Sequence, residues 1–138
     1  MKVYLLMTAD LFHIGHLRAI RQCAKYGDVY IGLLTDRVLK DYKGKPIIPF
    51  WQRKEILEAL PEVKKVIKQD SLNPIKYLKG MDYIASGDGW EGEELRAIKK
   101  LKVKPLNINY CKEQSTTQVK TAIYRLFIQK LVYAFKEK

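Results

Sequence analysis

The 138-residue sequence predicts an α/β fold: a doubly wound, parallel, five-stranded sheet with helices on both faces and a long C-terminal helix. Three observations carry the prediction. Short apolar runs alternate with segments of helical period from one end of the chain to the other. The runs are short and mostly β-branched, leucine or aromatic, as strands covered on both faces are. The length, with 47% hydrophobic residues, suffices for one core, so residues 1–138 read as a single domain.

The elements follow in order. Val3 to Met7 is the first strand, and Gly15 to Tyr26 is a helix long enough to cross over to the next. Val29 to Leu34 is the second strand, followed by helical segments over Asp36 to Tyr42 and Trp51 to Leu60. Val63 to Ile67 is the third, with a helical pattern over Asn73 to Lys79. Tyr83 to Ala85 and Leu106 to Ile108 are the fourth and fifth, separated by a helix over Glu93 to Leu101. From Thr116 onward one long helix places Val119, Ala122, Ile123, Leu126, Phe127, Leu131 and Ala134 on a core-facing stripe. A second stripe, Tyr124, Ile128, Val132 and Phe135, lies beside it. A homodimer interface and a more deeply buried helix both account for the extra apolar face, and membrane-surface binding is a weaker third reading.

Composition narrows the function. Lys and Arg exceed Asp and Glu by 26 to 15, a net charge of +11, which points to anionic ligands. Cys23 and Cys111 are too few and too far apart for a disulfide framework or a zinc site, so the reducing cytoplasm is the expected compartment. Asp10 interrupts the N-terminal apolar run before it makes a signal peptide, and no stretch approaches the ~20 apolar residues of a membrane span. A soluble, unprocessed protein is expected.

Ligands of such sheets bind beyond the carboxyl ends of the strands, which directs attention to the residues after Met7, Ala85 and Ile108. Thr8-Ala9-Asp10-Leu11-Phe12-His13-Ile14-Gly15-His16 follows the first strand and opens the first helix. A turn there aims backbone N–H groups and the positive end of the helix dipole at an anion. Gly15 lets a phosphate approach the backbone between His13 and His16, the only histidines in the chain. With Asp10 as the only nearby carboxylate, no protein metal site is expected. Ser115-Thr116-Thr117-Gln118 has the spacing of a capping box and offers hydroxyls and free N–H groups to phosphates.

His13-Ile14-Gly15-His16 resembles the His-x-Gly-His signature of the nucleotidyltransferase superfamily, which includes cytidylyltransferases, some adenylyltransferases and the class I aminoacyl-tRNA synthetases. The chain is too short for a synthetase. Gly87-Asp88-Gly89-Trp90 resembles the Gly-Asp-Asp-Trp segment of the small cytidylyltransferases, with Gly89 in place of the second Asp. Tyr110-Cys111-Lys112-Glu113-Gln114-Ser115-Thr116-Thr117 is similar to the family's Arg-Thr-Glu-Gly-Ile-Ser-Thr-Thr in its last three residues, and Tyr110 stands where that arginine would be. The spelling around Tyr110 to Lys112, Gly32 to Asp36 and Tyr42-Lys43 looks closer to the branch associated with phosphonates.

The resemblance implies a Rossmann-like transferase that moves CMP from CTP to a phosphate or phosphonate monoester. It implies catalytic roles for His13, His16, Lys43, Lys45 and Arg53, the last three as mobile positive charge. Thr8, Ala9, Asp10, Gly15, Gly87, Asp88, Trp90, Ser115, Thr116 and Thr117 are implied to bind the nucleotide, and Lys45 and Lys112 the acceptor. Tyr42 and Trp51 are candidates for packing on a base or ribose, with core packing the commoner role for each. Mg²⁺ is expected to arrive with the nucleotide. One alternative is an adenylyltransferase using ATP on a phosphorylated cofactor precursor such as a flavin phosphate. Another is a basic nucleic-acid-binding module, which would need its charge gathered on one face; the expectation here is neither nucleic acid nor membrane.

Overall fold

The computed structural model describes residues 1–109 and 111–137. Its strands, β1 (Lys2–Met7), β2 (Asp28–Leu34), β3 (Val63–Gln69), β4 (Tyr83–Ser86) and β5 (Lys104–Asn107), form one parallel sheet in the order β3-β2-β1-β4-β5. The chain steps outward from β1 to β2 and β3, then returns past β1 to lay down β4 and β5. Strand order therefore reverses between β1 and β4, and the crevice at their carboxyl ends is the place where such sheets take ligands.

Alternation along β1 divides the interior into two cores. Val3, Leu5 and Met7 pack with Ile20, Cys23 and Leu57 under α1 (Ile14–Ala24) and α3 (Phe50–Glu58). Tyr4 faces the other way and packs with Leu78, Ile84, Ile98 and Val103 under α4 (Gly92–Lys100). Leu6, on the Tyr4 side of the strand, meets Leu34, Val38 and Leu39 beneath α2 (Asp36–Tyr42). Tyr4 is buried flat against Gly32 of β2, where a Cβ would collide with its hydroxyl. That hydroxyl donates to Oε1 of the buried Gln69.

Three expectations are corrected. The helix expected over 73–79 is a single 3₁₀ turn, Ile75–Tyr77, because Pro74 starts it and Leu78 N–H bonds back to Ile75 after three residues. β5 begins at Lys104, two residues earlier than expected; it is an edge strand, where the missing N–H of Pro105 is tolerated.

The third correction is the largest. α5 (Thr116–Lys136) contains no buried residue, and every position from Thr121 to Glu137 is exposed. Neither a core-facing stripe nor deep burial describes it. Periodicity identifies the apolar side of a helix, not the body that covers it.

Candidate active site

The loop between β1 and α1 holds the centre of the crevice. Ala9 (φ 53°) and Leu11 (φ 50°) both adopt left-handed backbone, a strain of about 1–3 kcal/mol each that the surroundings must hold in place. Asp10, between them, supplies the hold. Its carboxylate accepts the N–H groups of Ile47 (3.0 Å) and Ile48 (2.9 Å), and its carbonyl accepts the Thr116 hydroxyl (2.9 Å). The loop is thereby tied both to the segment entering α3 and to the first turn of α5.

His13 and His16 cap α1 reciprocally. His13 is the N-cap, and its Nδ1 accepts from Gly15 N–H at 3.0 Å; His16 Nδ1 accepts from His13 N–H at 3.2 Å. Because both Nδ1 atoms are acceptors, the proton of each neutral ring sits on Nε2, which is the donor. The rings lie 3.9 Å apart, and His16 also stacks on Phe12. Burial, and then the neighbouring His13, hold the His16 pKa down to about 4, against a smaller upward pull from Asp10. Burial also lowers that of His13. Both rings are therefore neutral at physiological pH. His13 Nε2 lies 3.4 Å from the Thr116 hydroxyl, so α1 and α5 meet at this pair. Gly15 is required by packing: a Cβ there would lie 2.7 Å from His13 Cε1 and 2.9 Å from the Gln114 carbonyl.

Around this pair opens a cleft of about 860 Å³. Thr8, Asp10, His13, Gly15 and His16 form its floor, and Gly87, Asp88 and Trp90 come to it from the end of β4. Ser86 organises that second segment, accepting Asp88 N–H and donating to the Gly89 carbonyl, with Gly89 at φ 81°. Ser115, Thr116 and Thr117 form a third wall at the start of α5. Ser115 supplies one half of the expected capping box by accepting Gln118 N–H at 3.2 Å. Lys43 and Tyr42 reach the cleft from the end of α2. Gly44 (φ 99°) is the left-handed stop of that helix, its N–H on the Leu39 carbonyl.

Other expected site residues do not themselves line the cleft. Ala9 is buried in the core; Lys45 and Lys112 are exposed beside the cleft, next to the lining residues Gly44, Pro46 and Cys111. Trp51 is exposed on α3. Tyr110 lies outside the described residues. Arg53 is not mobile: it is 1% exposed and bonds the carbonyls of Thr8, Leu34 (3.0 Å) and Ile48 (2.9 Å) and the Asp36 carboxylate (2.7 Å). It is a strut beneath the site, joining the carboxyl ends of β1 and β2 to the start of α3.

Sequence reasoning missed Lys120, which lines the cleft with its Nζ 3.8 Å from Asp10 Oδ2. One helical turn separates it from Thr116, and that spacing was the available signal. Gln114 and Asn109 also line the cleft and carried no sequence signal.

Comparison with known proteins places these features in a group. Residues 8–126 match the family model described as Cytidylyltransferase-like. An FAD synthase of Archaeoglobus profundus is 29% identical over 134 residues, covering 95% of this chain and 86% of that protein. An FAD synthase of Ferroglobus placidus is 35% identical over 104 residues, covering 69% and 68%. An ethanolamine-phosphate cytidylyltransferase of Arabidopsis thaliana is 30% identical over 95 residues, covering 63% of this chain but 23% of that protein. Among solved structures, a lipopolysaccharide core biosynthesis protein of Thermoplasma volcanium superposes with a TM-score of 0.70 at 20% identity, covering 81% of this chain and 98% of that one. That likeness concerns the fold.

Proposed function

The chain belongs to the Cytidylyltransferase-like family of nucleotidyltransferases, and we propose that it transfers CMP from CTP to a phosphate or phosphonate monoester. One observation carries the reading: the reciprocal His13–His16 cap presents neutral Nε2–H donors at a cleft that also gathers Lys43, Lys120 and the Ser115–Thr117 hydroxyls. An ionised oxygen of the acceptor attacks the α-phosphorus, a new P–O bond forms, and the bond to the β-phosphate bridging oxygen breaks. Pyrophosphate departs with the electron pair. An anionic acceptor needs no general base, so the protein's contribution is alignment of the two anions and donation of hydrogen bonds to the charge that builds up.

Mg²⁺ is assigned to the nucleotide instead of to a protein cage. Both Asp10 carboxylate oxygens already accept backbone N–H groups, which makes Asp10 a poor metal ligand. Bound to the triphosphate, the ion supplies neutralisation of its charge.

A second reading, transfer of AMP from ATP to a flavin phosphate, is favoured by the FAD synthases among the relatives. The Gly87–Trp90 segment and the Ser-Thr-Thr ending favour CTP. Incubating the protein and Mg²⁺ with CTP or ATP against glycerol 3-phosphate, phosphoethanolamine, aminoalkyl phosphonates and FMN, with pyrophosphate release and ³¹P NMR of the product, decides between them. Turnover with CTP and one of the first three acceptor classes is expected. Turnover with ATP and FMN alone replaces the CTP reading by the second. Release with no pair overturns both.

A further inference from the structure

The cleft is lined differently on its two sides. The side built by the ends of β4 and β5 and the start of α5 is polar, with Ser86, Asp88, Asn109, Gln114 and Thr117. The side built by β2, α2 and the loops after α2 and β3 is apolar: it carries Leu34, Leu39, Tyr42, Pro46 and Leu72, with Lys43 as its one charged side chain. Leu34, Leu39 and Pro46 are buried. Leu72 is 43% exposed, the one exposed aliphatic residue in the described lining. A single exposed leucine on a free loop needs no explanation. Leu72 is not on a free loop.

Gln69, at the end of β3, is fully buried, and its Nε2 donates to the carbonyls of Ser71 (2.7 Å) and Leu72 (3.5 Å). Its Oε1 accepts the Tyr4 hydroxyl. β2 makes room for this pair by having no side chain: a Cβ at Gly32 would lie 2.0 Å from the hydroxyl and 2.4 Å from Gln69 Oε1. Tyr77 stacks on Tyr4, and its own hydroxyl donates to the Asp70 carboxylate and accepts Asp70 N–H (2.9 Å). Arg37 of α2 donates to the Asp70 carbonyl (2.8 Å), and Asn73 Oδ1 accepts Ile75 N–H (2.9 Å). Residues 70–73 are thus fixed from both ends. Each of these bonds replaces one to water, so the net gain in stability is modest. Their specific effect is to hold Leu72 at one place in the cleft, and a contact ordered in advance loses no further entropy on binding.

We propose that Leu72 is the contact for the organic part of the phosphorylated acceptor, that Gln69 is its positioning residue, and that the acceptor carries an apolar surface instead of a polyol. The inference rests on the nucleotidyl-transfer reading of the cleft. In that reading the Gly87–Trp90 and Ser115–Thr117 segments hold the nucleotide on the polar side. In-line attack then brings the acceptor from across the His13–His16 pair, its phosphate beside Lys43 and its organic part toward Leu72.

The probes are the n-alkyl phosphates from methyl to hexyl, glycerol 3-phosphate, CTP and ATP, each titrated without turnover and followed by methyl NMR. In the wild type, hexyl phosphate is expected to bind at least about tenfold more tightly than methyl phosphate, as about fourfold per buried methylene allows, and to shift the Leu72 methyl resonances. Propyl phosphate is expected to bind more tightly than glycerol 3-phosphate, its hydroxylated counterpart. Leu72→Ser, at an exposed position, is expected to bring the hexyl-to-methyl ratio below about threefold, with CTP affinity within about twofold of wild type. Gln69→Met, close in size but unable to donate, and Tyr4→Phe, which frees Gln69 Oε1 and keeps the ring, are expected to lower the same ratio with the circular dichroism of the fold retained.

A ratio unchanged in Leu72→Ser, or absent from the wild type, overturns the contact. Tighter binding of glycerol 3-phosphate than of propyl phosphate overturns the apolar acceptor class. A ratio unchanged in both Gln69→Met and Tyr4→Phe overturns the positioning role. A wild type that shows the length effect but binds neither CTP nor ATP removes the transferase reading, and the acceptor role with it, and leaves Leu72 a contact for some other phosphate ester.

Discussion

His16 joins the local structure of the site to its chemistry. Its Nδ1 completes the cap of α1, and the same hydrogen bond fixes the proton on Nε2, where a donor is useful to a triphosphate. His16→Ala is expected to lower nucleotidyl transfer about 10²–10³-fold, the usual effect of removing one transition-state donor, with the fold retained. Loss of the capping bond costs about 1 kcal/mol in addition. The ring also gives a pH signature. With its pKa held at about 4 in the folded protein against 6.5 unfolded, the unfolded state binds more protons between those values. The stability due to the neutral ring is complete above pH 6.5 and is lost as pH falls toward 4, on the order of 3 kcal/mol in total. Urea unfolding midpoints across that range are expected to fall in the wild type and to fall less in His16→Ala; parallel curves would show that His16 is not held neutral. The pair was legible because its residues are contiguous around Gly15. The exclusion of a Cβ by Gln114 at Gly15 was not, since that carbonyl is 99 residues away in sequence.

At the scale of elements, Arg53 shows how the crevice is built. It leaves α3 and bonds Thr8 at the end of β1 and Leu34 at the end of β2, while Asp36 at the start of α2 supplies the countercharge and also accepts Phe50 N–H. Four elements are thus fixed to one buried guanidinium. Its charge and basic neighbours suggested a ligand contact from the sequence, because nothing local says that its partners are carbonyls 45 and 19 residues away. Removing it leaves those carbonyls and a carboxylate without their donor, and Arg53→Ala is expected to destabilise the fold by about 3–5 kcal/mol. Arg53→Lys recovers little of this, since one ammonium cannot match a planar fork spread over four acceptors. Chemical denaturation measures both, and near wild-type stability of the alanine variant would return Arg53 to the list of free site cations. α2, α3 and their strands were legible as periodic segments. The burial of the arginine that joins them depends on the tertiary arrangement.

Charge belongs to the whole molecule. The alternating elements indicate a parallel sheet with its ligand crevice at the strands' carboxyl ends, whereas the order β3-β2-β1-β4-β5 and its reversal beside β1 are read from the structure. The excess of +11 does not localise in that way. Arg53 is buried, Lys43 and Lys120 line the cleft, and Arg18, Arg21, Lys54 and Lys76 pair with Glu113, Glu62, Glu58 and Asp70 on separate parts of the surface. A nucleic-acid surface needs its cations along one path, and a protein with 6–10 phosphate contacts loses ~10³–10⁵ in affinity between 50 and 200 mM salt. A small anionic substrate bound by two lysines, histidine donors and hydroxyls has a far weaker salt dependence. Pyrophosphate release is therefore expected to change less than about threefold over that salt range, and a 20-mer oligonucleotide in tenfold excess over protein is expected to leave it unaltered. Submicromolar binding of the oligonucleotide at 50 mM salt, lost at 200 mM and competitive with CTP, would instead make the scattered cations act as one surface, and the positive balance would then describe a polymer partner instead of two small anions meeting at the His13–His16 cap.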